Sequence, residues 1–529
     1  MRRKKTMHIS MGLAFVLAFI AGFSYFSRRF MGDLYLERAI VLGPVTGLIM
    51  GDMQTGLMLG GTMELIFMGA ADIGGSVPPN LPIGSVLGTA FAISGGLSVQ
   101  EALVIAIPAA LLGSFFELIA KSVSTIFVSG AEYFADRGNT NGVSAMVHTG
   151  NLAHFLADFL PVFVALSAGS QVVEGLGNAI PASVKTGIGV AGNLLPALGF
   201  ALLLSTLATT ELLPFFFFGF VLAAYANFGV LGAAFVGLLI AAYYIMQSGG
   251  LQLVGGKDEG EASMVSGQDQ RTIYWRSFAI QSAFSFDRMQ ALGWTWALIP
   301  FLKKLYGNTD ELRRALRRHL VFFNTHPWIP GPIFASVAEL EARRAKNPDE
   351  VDEQSIQGVK GSLMGPLAGI GDSSFHGTWR PLMGGIAASM GLQGNPIAPL
   401  FFFLSTNIVH VWVRWFSQDR GFRYGSQLFE RVDAERLQTI MRGAAMAGLM
   451  GIGGLVGTWL SVTTPLAYTI QNSTVSIQSM LDSIMPKFLP LVVTLLTYWA
   501  IRRGARTVIL MLVLAIGGFA LGALGILGK

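Results

Sequence analysis

Glu211-Leu-Leu-Pro-Phe-Phe-Phe-Phe218 opens a stretch that runs to Lys257 without another charged side chain. Its body, FFFFGFVLAAYANFGVLGAAFVGLLIAAYYIM (residues 215–246), is apolar on every face. One bilayer crossing takes about 20 apolar residues, so this stretch holds more than one. Charge is also missing between Asp72 and Glu101 and between Lys185 and Glu211. Further apolar segments cover about 397–413, 443–460, 488–500 and 508–527. Across the 529 residues only 13% are charged, 52% are hydrophobic, and mean hydropathy is +0.56. Soluble domains carry about 25% charged residues, so this chain lacks the polar surface that water would require. It reads as a polytopic, all-α membrane protein.

Several apolar segments are broken. Pro78, Pro79 and Pro82 interrupt one, and Pro327, Pro330 and Pro332 another. Irregular backbone at membrane depth survives only inside protein or beside a cavity, which points to a transport site. At the N-terminus, Met1-Arg-Arg-Lys-Lys5 precedes an apolar run from Met11 to Phe23. We read a retained first helix with a cytoplasmic N-terminus, because Arg28 and Arg29 follow at once and no small-residue cleavage site stands out.

Composition divides the chain in two. Residues 248–270 are polar, glycine-rich and without hydrophobic period, and read as a linker between membrane domains over 1–247 and 271–529. The second domain carries a charged, helical, cytoplasmic segment at about 303–360. Within it, Glu339-Leu-Glu-Ala-Arg-Arg-Ala-Lys346 has acid-to-base spacing suited to a solvated helix. A net charge of +5 fits cytoplasmic loops rather than nucleic-acid binding.

Some chemistry is excluded. There are no cysteines, hence no thiolate metal sites or disulfides. No Walker-type phosphate loop occurs, and the seven histidines show no metal-ligand spacing, so no cofactor or metal is expected. Energy must come from an ion gradient or another protein.

Intramembrane carboxylates cost at least ~2.5 kcal/mol each at the bilayer centre and are therefore functional candidates. Glu64, Asp72, Asp287 and Asp372 qualify, with Asn80, Arg288, Gln290, Asn324, His326 and His376 as polar neighbours in the same motifs. A carboxylate accepts two neighbouring hydroxyls of a ligand, and such charge-assisted bonds are about twice as strong as neutral ones. Asp52 in Gly51-Asp-Met reads as a helix cap, and Asp372 follows Gly369-Ile-Gly371, which reads as a flexible turn.

Six motifs add a family. Gly51-Asp-Met-Gln-Thr-Gly56, Gly60-Gly-Thr-Met-Glu-Leu-Ile66 and Met68-Gly-Ala-Ala-Asp-Ile-Gly-Gly-Ser-Val-Pro-Pro-Asn80 resemble the IIC component of the mannose-type phosphotransferase system. Phe284-Ser-Phe-Asp-Arg-Met-Gln-Ala-Leu-Gly293, Arg317-Arg-His-Leu-Val-Phe-Phe-Asn-Thr-His-Pro327 and Gly365-Pro-Leu-Ala-Gly-Ile-Gly-Asp-Ser-Ser-Phe-His-Gly-Thr-Trp-Arg-Pro381 resemble the IID component. The resemblance implies two fused, inverted, pseudo-symmetric halves with broken helices and re-entrant hairpins around one sugar site. It implies a homotrimer in the bacterial inner membrane that moves its sugar by an elevator shift. It further implies soluble IIA and IIB partners, with the phosphate-carrying histidines on them, and a hexose or amino-sugar substrate (mannose, fructose, sorbose or N-acetylgalactosamine class). The family pattern has Asn at Asp72, Asp at Asn80, Glu at Asp287 and Trp at His376. An ion-coupled sugar transporter is the alternative, in which the intramembrane acids would bind protons or sodium. A bacteriocin-receptor role is a further implication of the resemblance.

Overall fold

The computed structural model describes residues 9–70, 78–179, 182–247, 263–424, 434–470 and 473–528. Helices dominate. In the first half they are α1 (Met11–Phe30), α2 (Ala39–Ile49), α3 (Met53–Phe67), α4 (Leu81–Gly95), α5 (Val99–Ala135), α6 (Thr140–Ala179), α7 (Ala182–Leu194), α8 (Pro196–Leu207), α9 (Leu213–Ala224) and α10 (Val230–Gln247). The second half contributes α11 (Gly267–Ser277), α12 (Ala291–Tyr306), α13 (Asp310–His319), α14 (Gly331–Lys346), α15 (Glu353–Gly371), a π-helical segment (Asp372–Trp379), α16 (Arg380–Leu392) and α17 (Ala398–Tyr424). It ends with α18 (Ala434–Trp459), α19 (Ile477–Ile484), α20 (Phe488–Arg502) and α21 (Thr507–Ala523).

Among the described residues, four helical stretches are long and apolar enough to cross a bilayer: Met11–Phe30, Val99–Ala135, Thr140–Gly169 and Thr186–Leu207. The pair Ile477–Ile484 and Phe488–Arg502, bent by 74°, makes a fifth if counted as one span. Six further apolar helices of 10–17 residues, α2 and α4 among them, are too short to cross alone. This is how the proline-broken segments resolve. Asn80 caps α4, accepting from the Ile83 amide at 2.9 Å, and Pro82 occupies its first turn, where a missing amide costs nothing.

Glycine sets the closeness of helix packing. A methyl group on Gly43 of α2 would lie 2.6 Å from the Gly56 carbonyl oxygen of α3. Between the halves, a methyl on Gly453 of α18 would lie 2.6 Å from the Phe220 amide nitrogen of α9. Small residues allow this backbone approach, which drives helix association where lipid removes the hydrophobic incentive. Contacts of α18 with α9 and α10, of α16 with α3, and of α21 with α7 join the two halves.

Four expectations need correction. The fold is not purely helical: β1 (Ala467–Ile470) and β2 (Ser473–Ser476) pair antiparallel, with Ala467 opposite Ser476 and Ile470 opposite Ser473. Tyr, Thr, Ile and Val fill these strands, residues that favour an extended pleat. Second, α11 begins inside the stretch read as linker, because the Ser266 side chain accepts from the Asp269 amide at 3.3 Å; residues 248–262 of that stretch lie outside the described residues. Third, Gly369-Ile-Gly371 is no turn but the end of α15, running directly into the π-helical segment. Gly371 serves packing, since a Cβ there would lie 2.7 Å from His326 Nδ1.

Fourth, α14 is not a solvated helix. Glu341 is fully buried and accepts from Arg318 Nε at 2.7 Å, from His319 Nε2 at 2.9 Å and from the Tyr306 hydroxyl at 2.6 Å. Burial by itself would raise its carboxyl, but the hydrogen bonds from Arg318 and His319 outweigh that and hold it well below the usual carboxylate range. The charged segment therefore has a core of its own, built on one neutralised acid.

Candidate functional site: a buried polar centre between the halves

The loop joining α1 to α2 carries most of the chemistry. Gly32 and Tyr35 adopt left-handed backbone, φ 88° and 58°, which folds Asp33, Glu37 and Arg38 back into the protein. All three are buried. Arg28 Nε, on the last turn of α1, lies 3.3 Å from Asp33 Oδ1 and 3.9 Å from Glu37 Oε1. Its neighbour Arg29 reaches Gln281 Oε1 at 3.2 Å and Glu117 Oε1 at 3.4 Å, and Lys121 Nζ meets the same Glu117 oxygen at 3.0 Å. Arg38 Nε donates to Glu64 Oε1 at 3.0 Å. Charges this deep persist only when paired, and these are.

A narrow polar cavity of about 30 Å³ opens among Arg28, Glu37, Arg38, Asn80, Glu117 and Arg380. That is room for a water or two. Five of these side chains come from the first half and Arg380 from the second. Arg380 Nη2 also donates to the Met68 and Ala70 carbonyls at 3.3 and 3.4 Å, tying α16 to the end of α3. A second bridge between halves runs from Asp33 Oδ2 to His376 Nε2 at 3.0 Å.

The residues expected from the sequence fall into three places. Glu64 and Asn80 belong to the polar centre: Glu64 is committed to Arg38, and Asn80 Nδ2 donates to Asp158 Oδ1 at 2.7 Å. His376, Asp372 and His326 form a neighbouring group, with His376 Nδ1 3.4 Å from Asp372 Oδ1 and the two imidazole rings 4.6 Å apart. Sequence spacing gave no sign of this grouping.

Asp287 and Arg288 stand apart from the cavity lining. Asp287 is exposed and accepts from the Thr125 hydroxyl at 3.0 Å, while Arg288 pairs with Glu132 at 3.3 Å. Glu117, Lys121 and Thr125 follow at four-residue intervals on α5, so one helix face leads from the cavity to Asp287 over about 12 Å. Gln290 clamps the backbone of Thr325 with two bonds, 2.8 and 3.0 Å. Asn324, next to it, is partly buried. Asp72 lies outside the described residues. Asp52 caps α3, accepting from the Thr55 amide at 3.0 Å.

Sequence reading missed Arg28, Arg29, Asp33, Glu37, Arg38, Glu117, Lys121 and Asp158. In sequence Arg28 and Arg29 read as the charged flank of a first span, yet Arg29 is 1% exposed. Glu117 and Lys121, the charged side chains in the middle turns of an otherwise apolar α5, were the available signal.

Comparison with known proteins fixes the family. Residues 264–527 match the PTS system mannose/fructose/sorbose family IID component, and residues 8–243 match the PTS system sorbose-specific IIC component. The chain is 36% identical over 260 residues to the fructose permease IID component of Bacillus subtilis, covering 48% of this chain and 93% of that protein. It is 35% identical over 268 residues to the mannose-specific EIID component of Escherichia coli, covering 49% and 94%. The E. coli mannose-specific EIIC component aligns at 32% over 195 residues, covering 36% and 71%. With motifs of both components, apolar helices throughout and one polar centre between its halves, the chain belongs to the mannose/fructose/sorbose family of the phosphotransferase system, a sugar permease with its IIC and IID components in a single polypeptide.

Proposed function

We propose that the polar centre between the halves is the sugar site, and that the α5 face leading to Asp287 is the route to the phosphate donor. The carrying observation is the convergence of Arg380 from the second half with Arg38, Glu37 and Asn80 from the first on one cavity. Paired carboxylates and guanidiniums offer acceptors and donors for sugar hydroxyls. Asp72 lies in sequence between Ala70 and Pro78, which both line the cavity. A cavity of about 30 Å³ cannot hold a hexose, so loading requires the halves to shift, in keeping with an elevator movement of part of a homotrimer.

In this reading a soluble IIB protein, charged by IIA, docks on the charged segment at the inner face of the bacterial cytoplasmic membrane. The phosphoryl group leaves its histidine for a sugar hydroxyl, and Asp287 accepts the hydroxyl proton. The product is a dianion that cannot recross the bilayer. The substrate is a hexose or amino sugar of the mannose, fructose, sorbose or N-acetylgalactosamine class. Asp287→Asn should abolish uptake coupled to phosphoenolpyruvate in vesicles containing the soluble carriers, while sugar binding to the purified variant persists. Full uptake by that variant would remove Asp287 from the mechanism. Uptake driven by a proton gradient without the carriers would favour ion coupling instead.

A further inference from the structure

The geometry points to a site for one divalent transition-metal ion of the zinc class, built from His326, Asp372 and His376. It stands independently of the sugar reading. Each residue offers one ligand atom, and these atoms lie within 4.8 Å of one another. His326 precedes α14, while Asp372 and His376 are one turn apart on the π-helical segment. Both imidazoles are buried, at 1% and 4% exposure.

Asp33 orients the His376 ring. Its Nε2 lies 3.0 Å from Asp33 Oδ2, so Nε2–H donates to that carboxylate. Nδ1 of the neutral ring is then a lone pair, and it faces Asp372 Oδ1 at 3.4 Å. A proton on Nδ1 or a metal cation can occupy this position between ring and carboxylate, and the second imidazole beside it favours the metal. Asp33 becomes the outer carboxylate that fixes the ring and raises its basicity, as partners of metal-bound histidines do.

His326 completes the set. Its Nε2 is buried without a hydrogen-bond partner, and its ring is 4.6 Å from that of His376. Its Nδ1 accepts from the Trp328 amide at 3.2 Å, a long contact. Coordination through Nε2 moves the ring proton to Nδ1 and gives up that one bond. Gly371, with no side chain, lets the helix approach the ring. Two imidazoles and a carboxylate suit zinc, cobalt or nickel, whereas calcium and magnesium prefer all-oxygen shells.

The test is titration of the purified full-length chain, carried on a tag without histidine, with Co²⁺ and then with Zn²⁺ as competitor. We expect visible d–d absorption saturating at one Co²⁺ per chain, displaced by Zn²⁺, with Zn²⁺ raising the melting temperature of the wild type. His326→Gln and His376→Gln should each abolish the band, Asp33→Asn should weaken affinity about 10- to 100-fold, and His148→Gln, at an exposed position, should leave it intact. A wild type without the band, or a band that survives both ligand variants in folded protein, overturns the assignment and leaves His376 as an imidazolium held between two aspartates. Melting curves identify any variant that fails to fold, and the wild-type titration decides the matter without it.

Discussion

Arg38 and Glu64 illustrate how much a single buried pair carries. Both are nearly inaccessible, and the carboxylate also accepts from the Ile40 amide at 3.4 Å. Removing one partner leaves the other charge in a low-dielectric surround, which typically costs 3–5 kcal/mol. Glu64→Gln should therefore lower stability in detergent by about 3 kcal/mol, and Arg38→Met combined with Glu64→Gln should recover part of that loss. Melting temperatures of the three proteins test this; equal melting of wild type and Glu64→Gln would mean the pair contributes nothing. Glu341 makes a different prediction. It titrates lower folded than unfolded, so its contribution is complete above about pH 4.3, the ordinary glutamate value, and is lost as pH falls below it. Glu341→Gln should melt earlier than wild type at pH 7, and the gap should shrink toward pH 3. A gap independent of pH would assign the effect to packing.

At the scale of helices, close packing through glycine decides whether the halves stay joined. Gly453 faces the α9 backbone with no space for a side chain. Gly453→Leu would force α18 away from α9, at a cost of about 1–3 kcal/mol or more. Reduced yield and loss of a single gel-filtration peak are the expected signs, whereas Gly358→Leu, where a Cβ meets nothing, should be tolerated. Such contacts were not legible in the sequence, because a glycine at an interface and a glycine in a loop look alike. The spans themselves were legible, since charge-free length alone marks them, and so were Glu64 and Asn80, whose polarity stands out against apolar neighbours. Arg28, Arg29 and Asp33 escaped because they sit where a span ends. There, charge ordinarily means water, and only the tertiary fold turns them inward. The solvated reading of α14 failed for a related reason. Its Glu and Arg spacing fits a surface helix, but Arg318 from α13 supplies a buried partner that no local pattern reveals.

Taken whole, the molecule couples two components that meet along α9, α10 and α18, so the covalent connection adds proximity rather than contact. Residues 1–247 and 263–529 expressed as separate chains should copurify and restore sugar uptake together, with neither active alone. Failure to associate would show that the interface needs the tether's high effective concentration. The pairing of the buried charges has an electrical consequence. Arg28 sits against Asp33 and Glu37, Arg38 against Glu64, and Arg29 and Lys121 share Glu117. In the first half, four cations thus face four anions at short range, while Arg380 of the second half is held by backbone carbonyls. Moving one unbalanced charge through 100 mV takes about 2.3 kcal/mol, but a module whose charges cancel performs almost no work against the field. A step in which these first-half pairs move together with an uncharged sugar, Arg380 staying in place, should therefore run at the same rate in polarised and depolarised vesicles, leaving the cell's voltage free for other transporters.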